Sequence, residues 1–258
     1  MITCQSIGGL GNQLFQIATT LALAIEHQDE AIFDFDRHHS LSQGNKATHY
    51  QTTIYRNLNN QKLPPSQFIF REQEFGYRPI PYRSRMMLIG FFQSEKYFSK
   101  YRQELLDTFA PPSQIVDELR AKYGFILEQP NCAIHVRRGD YLHRTQYNPV
   151  CSINYYRAAI ELFDRNTKFL VCSDDINWCK QIWNDDRFIF SEYVDEVMDL
   201  YLMSMCQHHI IANSTFSWWA AWLDRDPHKR IIAPKKWFGS ALGHFSTDDI
   251  YTASMLKI

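Results

Sequence analysis

The sequence predicts an α/β fold built on doubly wound parallel sheets, and three observations carry that prediction. Short apolar runs rich in Val, Ile and Phe alternate with segments of helical period through the second half of the chain. The chain opens on strand, glycine turn, helix and strand, which is a βαβ beginning. Polar clusters follow the ends of four apolar runs, and open α/β sheets bind ligands beyond the carboxyl ends of their strands.

Residues 2–7 read as the first strand, 8–11 as a glycine turn, and 13–27 as a helix with Leu14, Ile17, Ala18, Leu21 and Ile25 at helical spacing. Residues 31–35 are the next strand. Residues 37–82 are polar and carry Pro64-Pro65, which predicts loops and short elements. Residues 86–91 form a strand and 94–109 a helix capped by Ser94 and ended by Pro111-Pro112. Residues 113–123 are a further helix, closed by Gly124. Strands are then expected at 132–136, 169–172, 188–190, 209–212 and 231–233, and helices at 152–166, 176–183, 196–206 and 216–223. A boundary near 124–130 divides the chain into domains of 1–125 and 126–258.

Length and composition limit the function classes. With 258 residues and 45% hydrophobic content, the chain can bury the core of one large domain or two small ones. Its 27 basic and 28 acidic residues leave a formal net charge of −1, so no global field favours nucleic acid. Cys4, Cys132, Cys151, Cys172, Cys179 and Cys206 contain no C-x-x-C pair. They read as reduced thiols of a cytosolic protein, not as a disulfide frame or zinc site. The first residues lack the basic and apolar regions of a signal peptide, and no run of 18 apolar residues predicts a membrane span.

The sharpest cluster is HVRRGD at 135–140. Arginine forks match phosphate oxygens in bidentate fashion. A fixed guanidinium also stabilises a departing nucleoside diphosphate more in the transition state than in the ground state. The plainer reading is an ion pair with Asp140, and the division expected is one arginine on phosphate and the other on Asp140. Asn213, Ser214 and Thr215 stand where a helix begins. Free N–H groups there attract phosphate, but simple capping needs no ligand and is the commoner reason for Ser or Thr at such a place, so taken alone the cluster reads as a cap. Asp174 and Asp175 offer acceptors for ribose hydroxyls or guanine N–H groups, or a cap for the next helix.

Gly9 and Gly11 form part of a dinucleotide fingerprint, but Leu14 stands where Gly or Ala is expected, and no Gly-Lys-Ser/Thr follows. Asp34 and Asp36 form a D-x-D that could bind a metal ion, but it follows directly on the second strand with no His or carboxylate cluster beside it and is read as a strand end. His38-His39 and His208-His209 lack the i, i+4 spacing of a helical metal site, so no metal is expected.

Taken together, GGLGNQLFQIA, GFFQSEKYF, HVRRGDY and NSTFSWWAAWL resemble, in order and spacing, the bacterial α1,2-fucosyltransferases of glycosyltransferase family 11, over about residues 1–240. The resemblance implies a GT-B-type fold: two Rossmann-like domains with parallel sheets facing a cleft, the first on the acceptor side and the second binding the donor. It implies GDP-β-L-fucose as donor, inversion to an α-fucoside on O2 of a terminal galactose, no cofactor and no required metal. By the same resemblance Arg137 contacts the β-phosphate with Arg138 beside it, His135 and Asp174 or Asp175 lie near the nucleoside, and Ser214, Thr215 and Phe216 line the phosphates. Gly11 and Asn12 would face the donor from the first domain. Asp140 and Glu95 are the candidates for a general base. Expected partners are the donor and a galactose-terminated glycan, free or lipid-linked, at the inner face of a bacterial membrane. An NAD(P)-dependent oxidoreductase using the glycine loop and a noncatalytic nucleotide-sugar-binding module are the rival readings.

Overall fold

The computed structural model describes residues 1–36 and 44–258. They form two compact units: Met1–Ala110 with Phe245–Thr252, and Pro111–His244 with Ala253–Ile258. The expected division at 125/126 therefore falls inside a helix of the second unit. That helix starts immediately after the proline pair, and the proline pair is where the first unit ends.

Unit 1 contains β1 (Ile2–Cys4), α1 (Leu10–Glu26), β2 (Phe68–Arg71), β3 (Met86–Ile89) and α2 (Arg102–Thr108). Its three strands are parallel, in the order β1-β3-β2. β1 is shorter than expected because Gln16 replaces the ladder. The Gln16 side chain accepts from Ile7 N–H at 2.9 Å and donates to Ile7 C=O at 3.0 Å. Residues 31–35 make only isolated bridges, Ile2 with Ala31 and Phe33 with Asn60. Their neighbour is a loop whose Asn60 side chain takes the Phe35 N–H at 3.1 Å, so no continuous ladder can form. The predicted 94–109 helix is two 3-10 turns followed by α2, broken at Phe98, whose φ of −144° is not helical. Ser94 does cap its turn, accepting from Lys96 N–H at 3.3 Å. β2 lies in the stretch expected to be irregular. It is an exposed edge strand without alternation, so it carries no signature to read.

Unit 2 contains α3 (Ser113–Leu127), β4 (Asn131–Val136), α4 (Ile153–Ile160), β5 (Lys168–Ser173), α5 (Ile176–Ile182), β6 (Phe188–Phe190), α6 (Glu196–Ser204), β7 (His209–Ile210), α7 (Thr215–Leu223), β8 (Ile231–Ala233) and β9 (Met255–Lys257). α3 runs through Gly124. It is stopped by Asn131, whose side-chain amide donates to the carbonyls of Ile126, Leu127 and Gln129 at 3.2, 3.2 and 2.8 Å. The six strands are parallel, in the order β6-β5-β4-β7-β8-β9. Counted from β4, this is the doubly wound order 3-2-1-4-5-6. The winding direction reverses between β4 and β7, where a ligand crevice is expected. β4 is buried along its whole length, and α7 is apolar around its circumference and buried from Ser217 onward. β9, which the sequence did not announce, is the outer strand beside β8.

All six cysteines are unpaired and five are buried. Among the described residues no helix is long and apolar enough to cross a membrane. Replacing Gln16 by Ala should strand both polar groups of Ile7 and cost about 1–3 kcal/mol. Urea unfolding of the variant against the parent measures it.

Candidate active site

The register of unit 2 assembles the polar clusters. Val136 on β4 faces Ser173 on β5, so the next residues, Arg137 and Asp174, leave the sheet side by side. Arg137 Nη1 lies 3.2 Å from Asp174 Oδ2, and Nη2 donates to Asp140 Oδ1 at 2.6 Å. Arg138 N–H donates to Asp174 Oδ1 at 2.8 Å, and its Nε donates to Asp175 Oδ2 at 2.9 Å. The guanidinium of Arg138 also stacks over the Trp178 ring at 4.0 Å. Thus neither arginine lacks a carboxylate, and Arg137, the one assigned to phosphate, is the one on Asp140. Of the expected division, the Asp140 half falls to Arg137, and carboxylates compensate both adjacent cations at the strand end. Gly139 permits it, since a Cβ there would lie 2.6 Å from Asp174 Oδ2.

Asp175 joins two expected roles. Its Oδ2 holds Arg138, and its Oδ1 accepts from Trp178 N–H at 3.3 Å, capping α5. Asp174 and Asp175 are therefore arginine partners first. Asp140 begins the 3-10 turn Asp140–His143 and orients Arg137.

On the other side of the reversal, the Asn213 side chain donates to Pro149 C=O at 3.0 Å and Trp237 C=O at 2.9 Å, tying three loops together. Ser214 stands at the N-cap of α7, yet its hydroxyl makes no capping hydrogen bond. Simple capping therefore does not account for it. The first-turn N–H groups of Thr215 and Phe216 open at the positive end of a buried helix, where the dipole is weakly screened. Tyr141 OH donates to Asn213 C=O at 3.1 Å and locks the β4 loop to the β7 loop.

His135 completes the group. It is 5% exposed, its ring lies 5.2 Å from that of Phe216, and its Nδ1 is buried without a hydrogen-bond partner. Burial, and then the Arg137 charge, lower its pKa to about 3, so the ring is neutral at ordinary pH. A neutral imidazole with an unspent ring nitrogen can still donate to or accept from a ligand. Arg137, Arg138, His135 and the α7 N-terminus together favour a ligand carrying phosphate and hydroxyl groups.

In unit 1, Gly11 and Asn12 belong to the first turn of α1 and not to a loop before it. Asn12 Oδ1 accepts from Gln93 Nε2 at 2.8 Å, which joins the glycine motif to the GFFQS motif. Gln13 donates to Gly8 C=O at 2.9 Å and Asn45 C=O at 3.0 Å, filling the turn with a side chain of the protein itself. Leu14, the departure from the dinucleotide fingerprint, is fully buried. Glu95 opens the 3-10 turn behind Ser94. Sequence reading passed over Tyr141, Trp178 and Gln93. Only their places inside or beside the quoted motifs could have flagged them.

No group of three His, Cys, Asp or Glu among the described residues could hold a metal ion. His38 and His39 lie outside the described residues.

Residues 1–253 match the model of Glycosyl transferase family 11. An Escherichia coli alpha-1,2-colitosyltransferase is 29% identical, over 92% of this chain and 92% of its own. A rat galactoside alpha-(1,2)-fucosyltransferase 2 is 28% identical, over 86% of this chain and 67% of its own. Among solved structures, the NodZ alpha-1,6-fucosyltransferase soaked with GDP-fucose aligns over 86% of this chain and 92% of its own, with a TM-score of 0.53 and 14% identity. POFUT1 in complex with GDP aligns over 90% and 97%, with a TM-score of 0.53 and 12% identity. The fold shared with these chains is of the GT-B type, two α/β units with parallel sheets.

The state of His135 has a measurable sign. From 6.5 down to about 3 the unfolded chain binds a proton at this residue and the folded chain does not. His135 therefore withdraws stability as pH falls through that window. Urea unfolding across the acid range should show a shallower loss, by up to about one proton, for His135→Asn than for the parent.

Proposed function

Because the chain belongs to glycosyl transferase family 11 and is a glycosyltransferase, we propose that it moves L-fucose from GDP-β-L-fucose to O2 of a terminal galactose on an oligosaccharide or glycolipid. The observation that carries the donor half is the convergence of Arg137, Arg138, His135 and the α7 N-terminus at the strand-order reversal of unit 2. The α1,2 linkage follows the names of the relatives.

The chemistry is a single displacement with inversion. The galactose O2 attacks fucose C1 while the bond from C1 to the β-phosphate oxygen breaks and GDP leaves with the electron pair. Charge develops on the β-phosphate. Arg137, already aligned by Asp140 and Asp174, meets that charge without reorganising, which is where fixed dipoles and charges are worth most. Arg138 spends only Nε on Asp175, and its two Nη groups are directed to the pyrophosphate in this reading. His135 binds the donor as a neutral group. Ser214, Thr215 and Phe216 supply a hydroxyl and backbone N–H groups to the phosphates.

Asp140 accepts from Arg137 at 2.6 Å, which favours the orienting role over that of base. Glu95 then remains as the carboxylate proposed to take the acceptor proton. The acceptor is placed with unit 1 and the reaction at the inner face of a bacterial membrane, without metal.

A second donor is favoured by one relative's name: a nucleotide-activated colitose in place of GDP-fucose. Acceptor-dependent GDP release in EDTA, with lactose or lacto-N-biose and each donor in turn, separates the two. Release with neither donor, and no thermal protection by GDP, would remove the donor assignment. Loss of activity in EDTA that a divalent ion restores would return the Asp34/Asp36 pair to consideration.

Arg137→Ala should fold normally and lose roughly 10²–10³-fold in kcat. Arg137→Lys should recover little, because an ammonium cannot span two carboxylates and a phosphate. Steady-state rates beside circular dichroism of each variant test both. Glu95→Gln should lower kcat by about 10²–10⁴-fold and leave donor protection intact, whereas a parent-like rate would exclude Glu95 as base.

A further inference from the structure

We propose that the free edge of the unit 1 sheet is a docking surface for an anionic lipid membrane. Among the described residues β2 is the outer strand of its sheet and pairs only with β3. Successive residues of a strand point to opposite faces, yet Phe68 and Ile69 are 43% and 56% exposed. Phe68 and Ile69 thus open to solvent on opposite faces, while Phe70 is half-buried and stacks against Phe92. Adjacent large apolar side chains on an open edge are a liability unless something covers them.

The surroundings say what covers them. Arg71, Arg83 and Arg85 are all exposed along this edge. Arg83 lies over the Phe68 ring at 5.2 Å, and Arg85 C=O accepts from Gln67 N–H at 2.9 Å, which sets Arg85 at the start of β2. The acidic residues of the stretch are already engaged. Glu72 accepts from the N–H groups of Phe91 and Phe92 at 2.6 and 3.1 Å, and Glu74 pairs with Arg78 at 2.5 Å. A cationic, apolar edge thus stands out on a chain of net charge −1.

Its complement is a surface of negative charge with an apolar layer just beneath. Phe68 and Ile69 enter the headgroup boundary, and the guanidinium groups meet lipid phosphates. A second copy of the chain fits less well, because pairing two β2 edges would oppose their arginines. Edge protection alone accounts for the arginines but not for the apolar pair between them. The inference rests on this surface and not on the choice of donor or acceptor. If the acceptor is lipid-linked, attachment brings unit 1 to it.

The test is flotation of the full chain with vesicles of phosphatidylcholine alone or mixed with phosphatidylglycerol, at low and high salt. The chain should float with the anionic vesicles only, and salt should release it. Each surface arginine is worth roughly fivefold in partition. Arg71→Glu with Arg83→Glu, and separately Phe68→Ser with Ile69→Thr, should each lower binding at least about tenfold. Both pairs should leave transfer to a water-soluble acceptor unchanged, and Arg120→Glu on α3 should float like the parent. Absence of flotation with anionic vesicles, or flotation indifferent to both pairs, would overturn the proposal. So would sedimentation showing a dimer that Phe68→Ser with Ile69→Thr dissolves, because a second copy would then own the edge.

Discussion

Two guanidinium groups on consecutive residues at the end of a buried strand are the constraint around which the second unit is organised. Side by side they repel, and the strand that carries them, β4, lies in the middle of the sheet. Three carboxylates answer them: Asp140 from the same loop, and Asp174 and Asp175 from the neighbouring strand end. The pairing requires β5 beside β4 in one register. It also requires Gly139, where a side chain would displace Asp174. Once the arginines are compensated, their remaining donors form a fixed cationic surface that needs no rearrangement to receive charge. Surface ion pairs contribute little to stability, so this cluster is better understood as preorganisation.

The glycine motif in unit 1 is held by different means. Amide side chains, not charges, organise that turn: Gln16 replaces the strand ladder at Ile7, Gln13 bonds Gly8, and Gln93 bonds Asn12. Each amide both donates and accepts, so one side chain can satisfy backbone groups that a ladder would otherwise pair. Polar residues of the motif that look available for a ligand are largely committed to the loop itself.

This difference explains how much was legible in the sequence. Buried parallel strands read as unbroken apolar runs, so β4, β5, β6 and β8 stand at or near their expected places. The polar clusters at their ends were visible for the same reason. What a one-dimensional reading lacks is register: that Arg137 faces Asp174 depends on which strands are neighbours, and that Ser214 makes no capping bond depends on the local geometry at the start of α7. β2 escaped because an exposed edge has no buried face to impose alternation. The helix expected at 94–109 failed because apolar spacing does not reveal the turn at Phe98. The expected division at 125/126 cuts α3, whereas the packing changes at the proline pair before it.

The route of the chain at its far end has a consequence for biosynthesis. Residues 245–252 leave unit 2, join unit 1, and are followed by β9, which returns to complete the other sheet. In that excursion Asp249 pairs with Lys96 and accepts from Tyr77 N–H at 2.7 Å, and Phe245 packs on Phe75. During synthesis the first unit must wait, with these partners unmet, until nearly all of the second has emerged. Both units close on the same last stretch of chain. The path of the backbone thereby makes the last contacts of both units among the latest to form during synthesis.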